Sequence, residues 1–527
     1  MKLLSSLLLV AALPLASAIS KITRTGRYLY SADGSRFYIK GVAYQTQGVF
    51  TVSPSNPLGA PTTFVDQLAN SAGCTRDLPF LQQLGVNAIR AYSVDSTLDH
   101  DSCMNALSAA GIYYIDTINV FSKYDNILAY NIGNEVVTAS ATAAAPFLKA
   151  AARDTKAYLA SIGSSALVGY ADIDGPSPFR DAVATYLSCD PSGQNSGSSA
   201  IDLFGLNNYE WCGNASTTTY DGINAEFANY NVVAYFSEFG SEDCKPTARP
   251  WTEVSTLFAS PMTNVWSGGV AFSYFSAISR GSDFGLITLS ADNSTVTVKQ
   301  DFTNLANEFK GVSFVNSPSQ GSVSASSFGA CPSTSPNLEA SSNLPPTPNT
   351  GACSCIEQSL SCQFKATGDF NAVLGTLTGT VCGLLPQVGG NCNDIATNGT
   401  TGVYGSVSSC DPTVRLSYAF SQYYELNGRV AASCDFAGNA TVNSAASAST
   451  AAAVVSSCLP SPSAVFTASA PPGASSVATA GSSSTTASSS GTAKTGAAVP
   501  VGPTGGALAG LATVISCVLT GMIWTVL

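Results

Sequence analysis

Short apolar runs rich in β-branched and aromatic residues recur at 37–43, 88–94, 112–115, 127–132, 166–170, 203–206, 232–236 and 269–275. Between many of them the apolar positions switch to a helical period, at 64–84, 98–110 and 143–162. In the last of these, Phe147, Leu148, Ala151, Ala152, Tyr158 and Leu159 supply the apolar positions of the helical pattern. Eight strand-like runs alternating with helix-like ones across residues 19–321 predict an α/β fold, a closed (β/α)8 barrel of the TIM type. An open doubly wound sheet is the alternative, but no glycine-rich phosphate loop follows the first run.

Beyond residue 321 the pattern breaks. Residues 322–351, rich in Ser, Pro, Asn and Thr, read as a linker. Eight cysteines from Cys353 to Cys458 mark a small disulfide-stapled module over 352–458. Residues 459–496 are mostly Ser, Ala, Thr, Gly and Val, the composition of an O-glycosylated stalk with no packed core. At the start, Lys2, the apolar stretch 3–15 and Ala16-Ser17-Ala18 have the layout of a cleaved signal peptide, 1–18. Residues 497–527 close the chain with an uncharged apolar run that follows small polar residues, the order of a GPI-attachment signal, with Gly496 and Ser490 both acceptable attachment sites. The expected location is therefore the outer face of the plasma membrane, held by lipid, or the cell wall.

Composition agrees with that placement. Of 15 cysteines, Cys517 leaves with the tail, and the remaining fourteen are an even number suited to disulfides in an oxidising compartment. No CxxC pair or Cys/His cluster suggests a metal, so no metal site is expected. Asn214, Asn293, Asn398 and Asn439 begin glycosylation sequons. A net charge of -11 argues against nucleic acid and against docking to anionic lipid, and favours a neutral partner.

Candidate chemistry lies at the ends of two runs. Glu135 closes the fourth in LAYNIGNEVV, and Glu238 closes the seventh in VVAYFSEFG. In a (β/α)8 barrel such strand ends face the active site. Two carboxylates converging there can divide glycosidic chemistry, one as general acid and base and the other as nucleophile, when they stand about 5–5.5 Å apart. His100 is the only histidine, and in LDHDSC it reads as a surface residue at the polar start of a helix. A serine or cysteine hydrolase would lack its base and a zinc hydrolase its ligands. A carboxylate mechanism without cofactor remains.

AYNIGNEV and YFSEFG, together with RFYIKGVAYQ, LGVNAIRAYSVD, IDLFGLNNYEWCG and VWSGGVAFSYF, resemble the fungal GPI-anchored β-1,3-glucanosyltransferases of the Gas/Gel/Phr type, glycoside hydrolase family 72. The resemblance covers most of the chain. It implies a retaining transglycosidase that cuts β-1,3-glucan internally and transfers the new reducing end to the non-reducing end of another chain. Glu135 would be the acid/base and Glu238 the nucleophile, Asn134 would bond the sugar 2-hydroxyl, and Arg90 would keep Glu238 ionised. Tyr92, Tyr209 and Tyr274 would line the glucan groove. The disulfides implied for the barrel are Cys74 with Cys103, Cys189 with Cys331 and Cys212 with Cys244. The module, through CSCIEQSLSC, GGNCNDIATNGTTGVYGSVSSC, LSYAFSQYY and CDFAGNATV, resembles the cysteine-rich carbohydrate-binding module of family 43. It would bind or orient glucan, or brace the barrel; Tyr423 and Tyr424 serve either binding or core. The pairing of Cys353, Cys355, Cys362, Cys382, Cys392, Cys410, Cys434 and Cys458 stays open. The expected partners are glucan donor and acceptor chains and a lipid anchor, for a monomer. A hydrolytic endo-β-1,3-glucanase and a non-catalytic glucan-binding wall protein remain alternatives.

One stretch departs from the resemblance. From Tyr113 to Leu128 there are only fifteen positions, where a strand-helix unit takes about 30 residues and a minimal crossover about 10–12. The family has a longer loop and a full helix here. Either coding sequence is missing from this chain, which the well-matched flanks favour, or this member has a narrowed third unit and an impaired site.

Overall fold

The computed structural model describes residues 19–50, 61–115, 119–243, 247–279, 281–365 and 371–459. Eight parallel strands close into a barrel: Ile39–Ala43, Ala88–Arg90, Tyr113–Ile115, Ile127–Asn134, Leu167–Ile173, Leu203–Asn207, Val233–Phe239 and Trp266–Ala271, the eighth pairing with the first. Each of the eight apolar runs supplies one strand. At the closing seam Gly268 has φ +87°, and a Cβ there would stand 2.2 Å from the Ile39 carbonyl oxygen, so only glycine lets the two backbones meet. The second strand ends at Arg90, short of the expected 94, because the backbone N–H groups of Tyr92 and Ser93 turn to Gln45 Oε1, each at 3.1 Å.

Two apolar layers hold the barrel. Inside it, Ile39, Ala88, Ile115, Leu203, Val233 and Val270 fill the lower part. Outside it, Val42, Ile89, Val168, Phe204 and Phe236 pack beneath the helices, which contribute Leu81, Leu107, Leu148 and Leu187. Helix Ser71–Leu84 shows how local chemistry sets these elements. Asn70 accepts from Gly73 N at its start, and Gly85, at φ 69°, returns its N–H to Gln82 and Leu81 carbonyls at its end.

The short third unit still closes the barrel, since the third strand pairs with both the second and the fourth. Among the described residues its connection to the fourth strand carries only the 3-10 turn Asn119–Lys123. There Phe121 is buried among the rings of His100, Tyr114 and Tyr124, at 4.6, 5.2 and 5.7 Å. His100 is accordingly no surface residue. It is 3% exposed, and its Nε2 stands 2.8 Å from Asp66 Oδ2.

The module is built of helices Thr350–Ser359, Asn371–Leu384, Pro412–Leu426 and Ala451–Cys458 around Ile356, Leu360, Val381, Leu416 and Phe420. Its bridges are Cys353–Cys410, Cys355–Cys458, Cys362–Cys434 and Cys382–Cys392. Tyr424 is buried in its core, and Tyr423 is half-buried against Phe436. In the barrel Cys74–Cys103 and Cys189–Cys331 form as the resemblance implies. Cys212 is disulfide-bonded, while Cys244 lies outside the described residues.

The stretch expected as a linker is strapped to the barrel. Asp190 N donates to Gly329 O at 2.7 Å, Leu338 and Ala340 join the barrel's core, and Arg153 Nη1 donates to Pro345 O at 2.9 Å. The module then seats its hairpin Thr397–Asn398/Val403–Tyr404 on the start of helix Ala145–Ser161. A Cβ on Gly399 would stand 2.0 Å from Ala143 O, and the rings of Phe147 and Tyr404 meet edge-on at 5.9 Å.

Of the sequon asparagines, Asn214, Asn293 and Asn398 are exposed; Asn439 is half-buried and its Nδ2 donates to Phe436 O at 2.9 Å. The expected signal peptide (1–18) and the stalk and anchor signal from residue 460 onward, Ser490, Gly496 and Cys517 included, lie outside the described residues. Among the described residues no helix is long and apolar enough to cross a membrane.

Candidate active site

The fourth strand ends on Asn134, and Glu135 follows with φ 54°, a left-handed conformation rare outside glycine. Its N–H donates to Ala171 O at 2.9 Å, so the chain turns over the barrel mouth while still anchored to the fifth strand. Glu238 sits within the seventh strand, where the register with the sixth shifts after Leu206 so that Asn207 comes opposite Glu238. Such an irregularity re-aims side chains at a barrel rim. Both glutamates are 7% exposed.

Both carboxylates are hydrogen-bonded at the mouth. Glu238 Oε1 accepts from Tyr92 Oη at 2.7 Å and from Arg90 Nη1 at 3.2 Å, and Oε2 accepts from Tyr209 Oη at 2.8 Å. Three donors, one of them a buried guanidinium, thus fix both oxygens of this carboxylate. Glu135 Oε1 accepts from the neutral amide of Asn207 at 2.6 Å. Asn207 Nδ2 also reaches Asn134 Oδ1 at 3.1 Å, while its Oδ1 accepts from Ser237 Oγ at 2.8 Å. Arg90 Nη2 donates to Asn134 Oδ1 at 2.7 Å. With its oxygen turned toward these donors, Asn134 directs Nδ2 as the donor.

Burial and the neighbouring Glu238 carboxylate hold the Tyr209 phenol well above its usual range, so it stays a proton donor. The Arg90 guanidinium lies 4.4 Å from the Tyr92 ring centroid. Phe272 stands edge-on to Tyr92 at 6.3 Å and to Tyr209 at 6.5 Å, and Phe284 braces Tyr209 at 5.8 Å.

Six of the seven expected site residues are therefore brought together: Glu135, Glu238, Arg90, Tyr92, Asn134 and Tyr209. Tyr274 is not with them. It is fully buried, donating to Asp77 Oδ1 at 3.2 Å beside Tyr44, which donates to Asp77 Oδ2 at 2.8 Å. The eighth strand ends at Ala271, so alternation no longer fixes which way later side chains point, and Phe272 is the aromatic that reaches the site. Asn207, Ser237 and Phe272 were missed by sequence reasoning. Asn207 carried a readable signal, a polar residue closing the sixth apolar run just as Asn134 and Glu135 close the fourth. Among the described residues no group of acidic, histidine or cysteine side chains could hold a metal ion.

The family model described as glucanosyltransferase matches this chain in two stretches, residues 12–120 and 114–313, which meet at the short third unit. The X8 domain matches residues 360–441. The chain is 37% identical to pH-responsive protein 2 of Candida albicans and 36% to 1,3-beta-glucanosyltransferase gas1 of Schizosaccharomyces pombe, each over 82% of this chain and 80% of the relative. Among solved structures it is similar to a glutamate-to-glutamine mutant of Saccharomyces cerevisiae Gas2p in complex with laminaritetraose and laminaripentaose. That likeness has a TM-score of 0.71 at 31% identity and covers 84% of this chain and 99% of that one. With the paired carboxylates at the mouth of a closed barrel, these matches identify the chain as a member of the glucanosyltransferase family, glycoside hydrolase family 72.

Proposed function

We propose that the protein is a retaining β-1,3-glucanosyltransferase that elongates and remodels cell-wall glucan from the outer face of the plasma membrane, held there by a GPI lipid. Glu135 gives its proton to the leaving glycosidic oxygen while a Glu238 oxygen bonds the anomeric carbon and the C–O bond breaks. The covalent glycosyl ester is then opened by the hydroxyl of an acceptor glucan, whose proton returns to Glu135. Asn134 Nδ2 bonds the sugar 2-hydroxyl.

The observation that carries this reading is that one buried network joins the two carboxylates at the barrel mouth: Asn207 Nδ2 donates to Glu135 Oε1, and Arg90 Nη1 reaches both Asn207 Oδ1 and Glu238 Oε1. Two carboxylates held by one network can act on the same glycosidic bond. Purified protein incubated with reduced laminarioligosaccharides should yield products both shorter and longer than the substrate. Shorter products alone would make it a hydrolase.

The division of the family match at residues 114–120 favours a second reading, a non-catalytic glucan-binding wall protein. It predicts no turnover at any enzyme concentration, with glucan binding equal in the wild type and in Glu238→Gln.

A further inference from the structure

We propose that Arg249 is a positioning residue for the nucleophile, clamping three segments of the barrel mouth so that Tyr92 and Tyr209 meet the two oxygens of Glu238. The inference rests on the reading of Glu238 as nucleophile.

Arg249 lies in the loop after the seventh strand, yet it is 1% exposed. Its Nη1 donates to Gly240 O at 3.1 Å and to Phe272 O at 2.6 Å, and its Nη2 donates to Phe284 O at 2.6 Å. On the opposite side Nε pairs with Asp301 Oδ2 at 2.9 Å and with Glu242 Oε1 at 3.0 Å. Two carboxylates thus hold the guanidinium in place while its outer edge gathers backbone oxygens.

Each of those oxygens belongs to a segment that shapes the site. Gly240 follows Glu238 by two residues. Phe272 stands edge-on to both tyrosines, and Phe284 packs on Tyr209 at 5.8 Å and on Phe272 at 5.5 Å. The chain of contact is therefore short: Arg249 fixes the backbones of Phe272 and Phe284, their rings fix the two phenols, and the phenols fix the carboxylate. A planar fork with five donors can span these acceptors; a lysine keeps the charge but not the reach.

The test isolates the step in which Glu238 attacks. A 2-deoxy-2-fluoro-laminaribiosyl fluoride loses fluoride as a Glu238 oxygen bonds its anomeric carbon, and intact mass reports the labelled fraction. Arg249→Lys should fold, by circular dichroism. Its saturating labelling rate should fall about tenfold, with the half-saturating concentration within about twofold of wild type. Tyr209→Phe should slow labelling likewise, and the double variant should lose less than the product of the two single effects, since the Tyr209 phenol carries part of the effect of Arg249. Equal rates in wild type and Arg249→Lys, or fully multiplicative losses, would overturn the inference alone. A wild type that does not label overturns the reading of Glu238 and the inference with it. Should Arg249→Lys not fold, Phe284→Leu, which keeps every ion pair, must show the slowed labelling; an unchanged rate there rejects the proposal.

Discussion

The barrel and the module solve the same stability problem by different means. The barrel buries a continuous apolar layer between its strands and helices, with Trp251, Trp266, Tyr170 and Phe236 among its fully buried side chains. It can therefore carry the ionisable side chains of Arg90, Glu135 and Glu238 at its mouth. The module, with a far smaller core, spends four disulfides on about a hundred residues and, among the described residues, keeps no comparable ionisable cluster inside. A chain with a large core can hold polar chemistry at the end of that core, whereas a small one needs covalent staples merely to persist.

The comparison breaks most visibly at the carboxylates. Glu238→Gln and Glu135→Gln should each lower glucan turnover by roughly four orders of magnitude, read by product chromatography, with the barrel's melting temperature almost unmoved. Replacing Cys362 and Cys434 by serine should cost the module about 2–5 kcal/mol and open 352–458 to proteolysis while the barrel stays intact. A barrel that melts along with the module would show the strap coupling them too tightly for the two strategies to be separate.

Smaller in size is a pH effect confined to the barrel. Glu253 is buried, and desolvation pushes its carboxyl up to about 7. The folded state then holds this proton more tightly than the unfolded one, so stability falls as pH rises from about 4.5 to about 7. Glu253→Gln should leave melting near pH 4 unchanged and raise it by roughly 5–10 °C at pH 8, measured calorimetrically. The smallest change concerns sequence rather than energy. Transcripts read across codons 114–118 should carry extra coding sequence, and a message with the same short connection would favour a narrowed third unit.

The strands were legible because each is a short apolar run bounded by a change of period, and the glutamates because a charge closing such a run is out of place. What stayed hidden depends on tertiary partners. His100 reads as a polar helix start until Asp66 and Phe121 cover it. Residues 322–351 have the composition of a loose joint, and nothing local says that Leu338 and Ala340 will enter the barrel's core. Tyr274 was misplaced because the eighth apolar run extends to residue 275, whereas the strand ends at Ala271. Arg249 has no motif of its own in the chain, since its acceptors at Gly240, Phe272 and Phe284 meet only in space.

The seam between Gly399 and Ala143 has a mechanical consequence. Tension pulling on the module's end at residue 459 would not stretch a slack tether. It would enter the barrel in shear through the Ser341–Gly399 and Arg153–Pro345 hydrogen bonds and load helix Ala145–Ser161, which begins ten residues after Glu135. The load path is short because module and barrel touch backbone to backbone, with no room for a Cβ at Gly399 against Ala143 O.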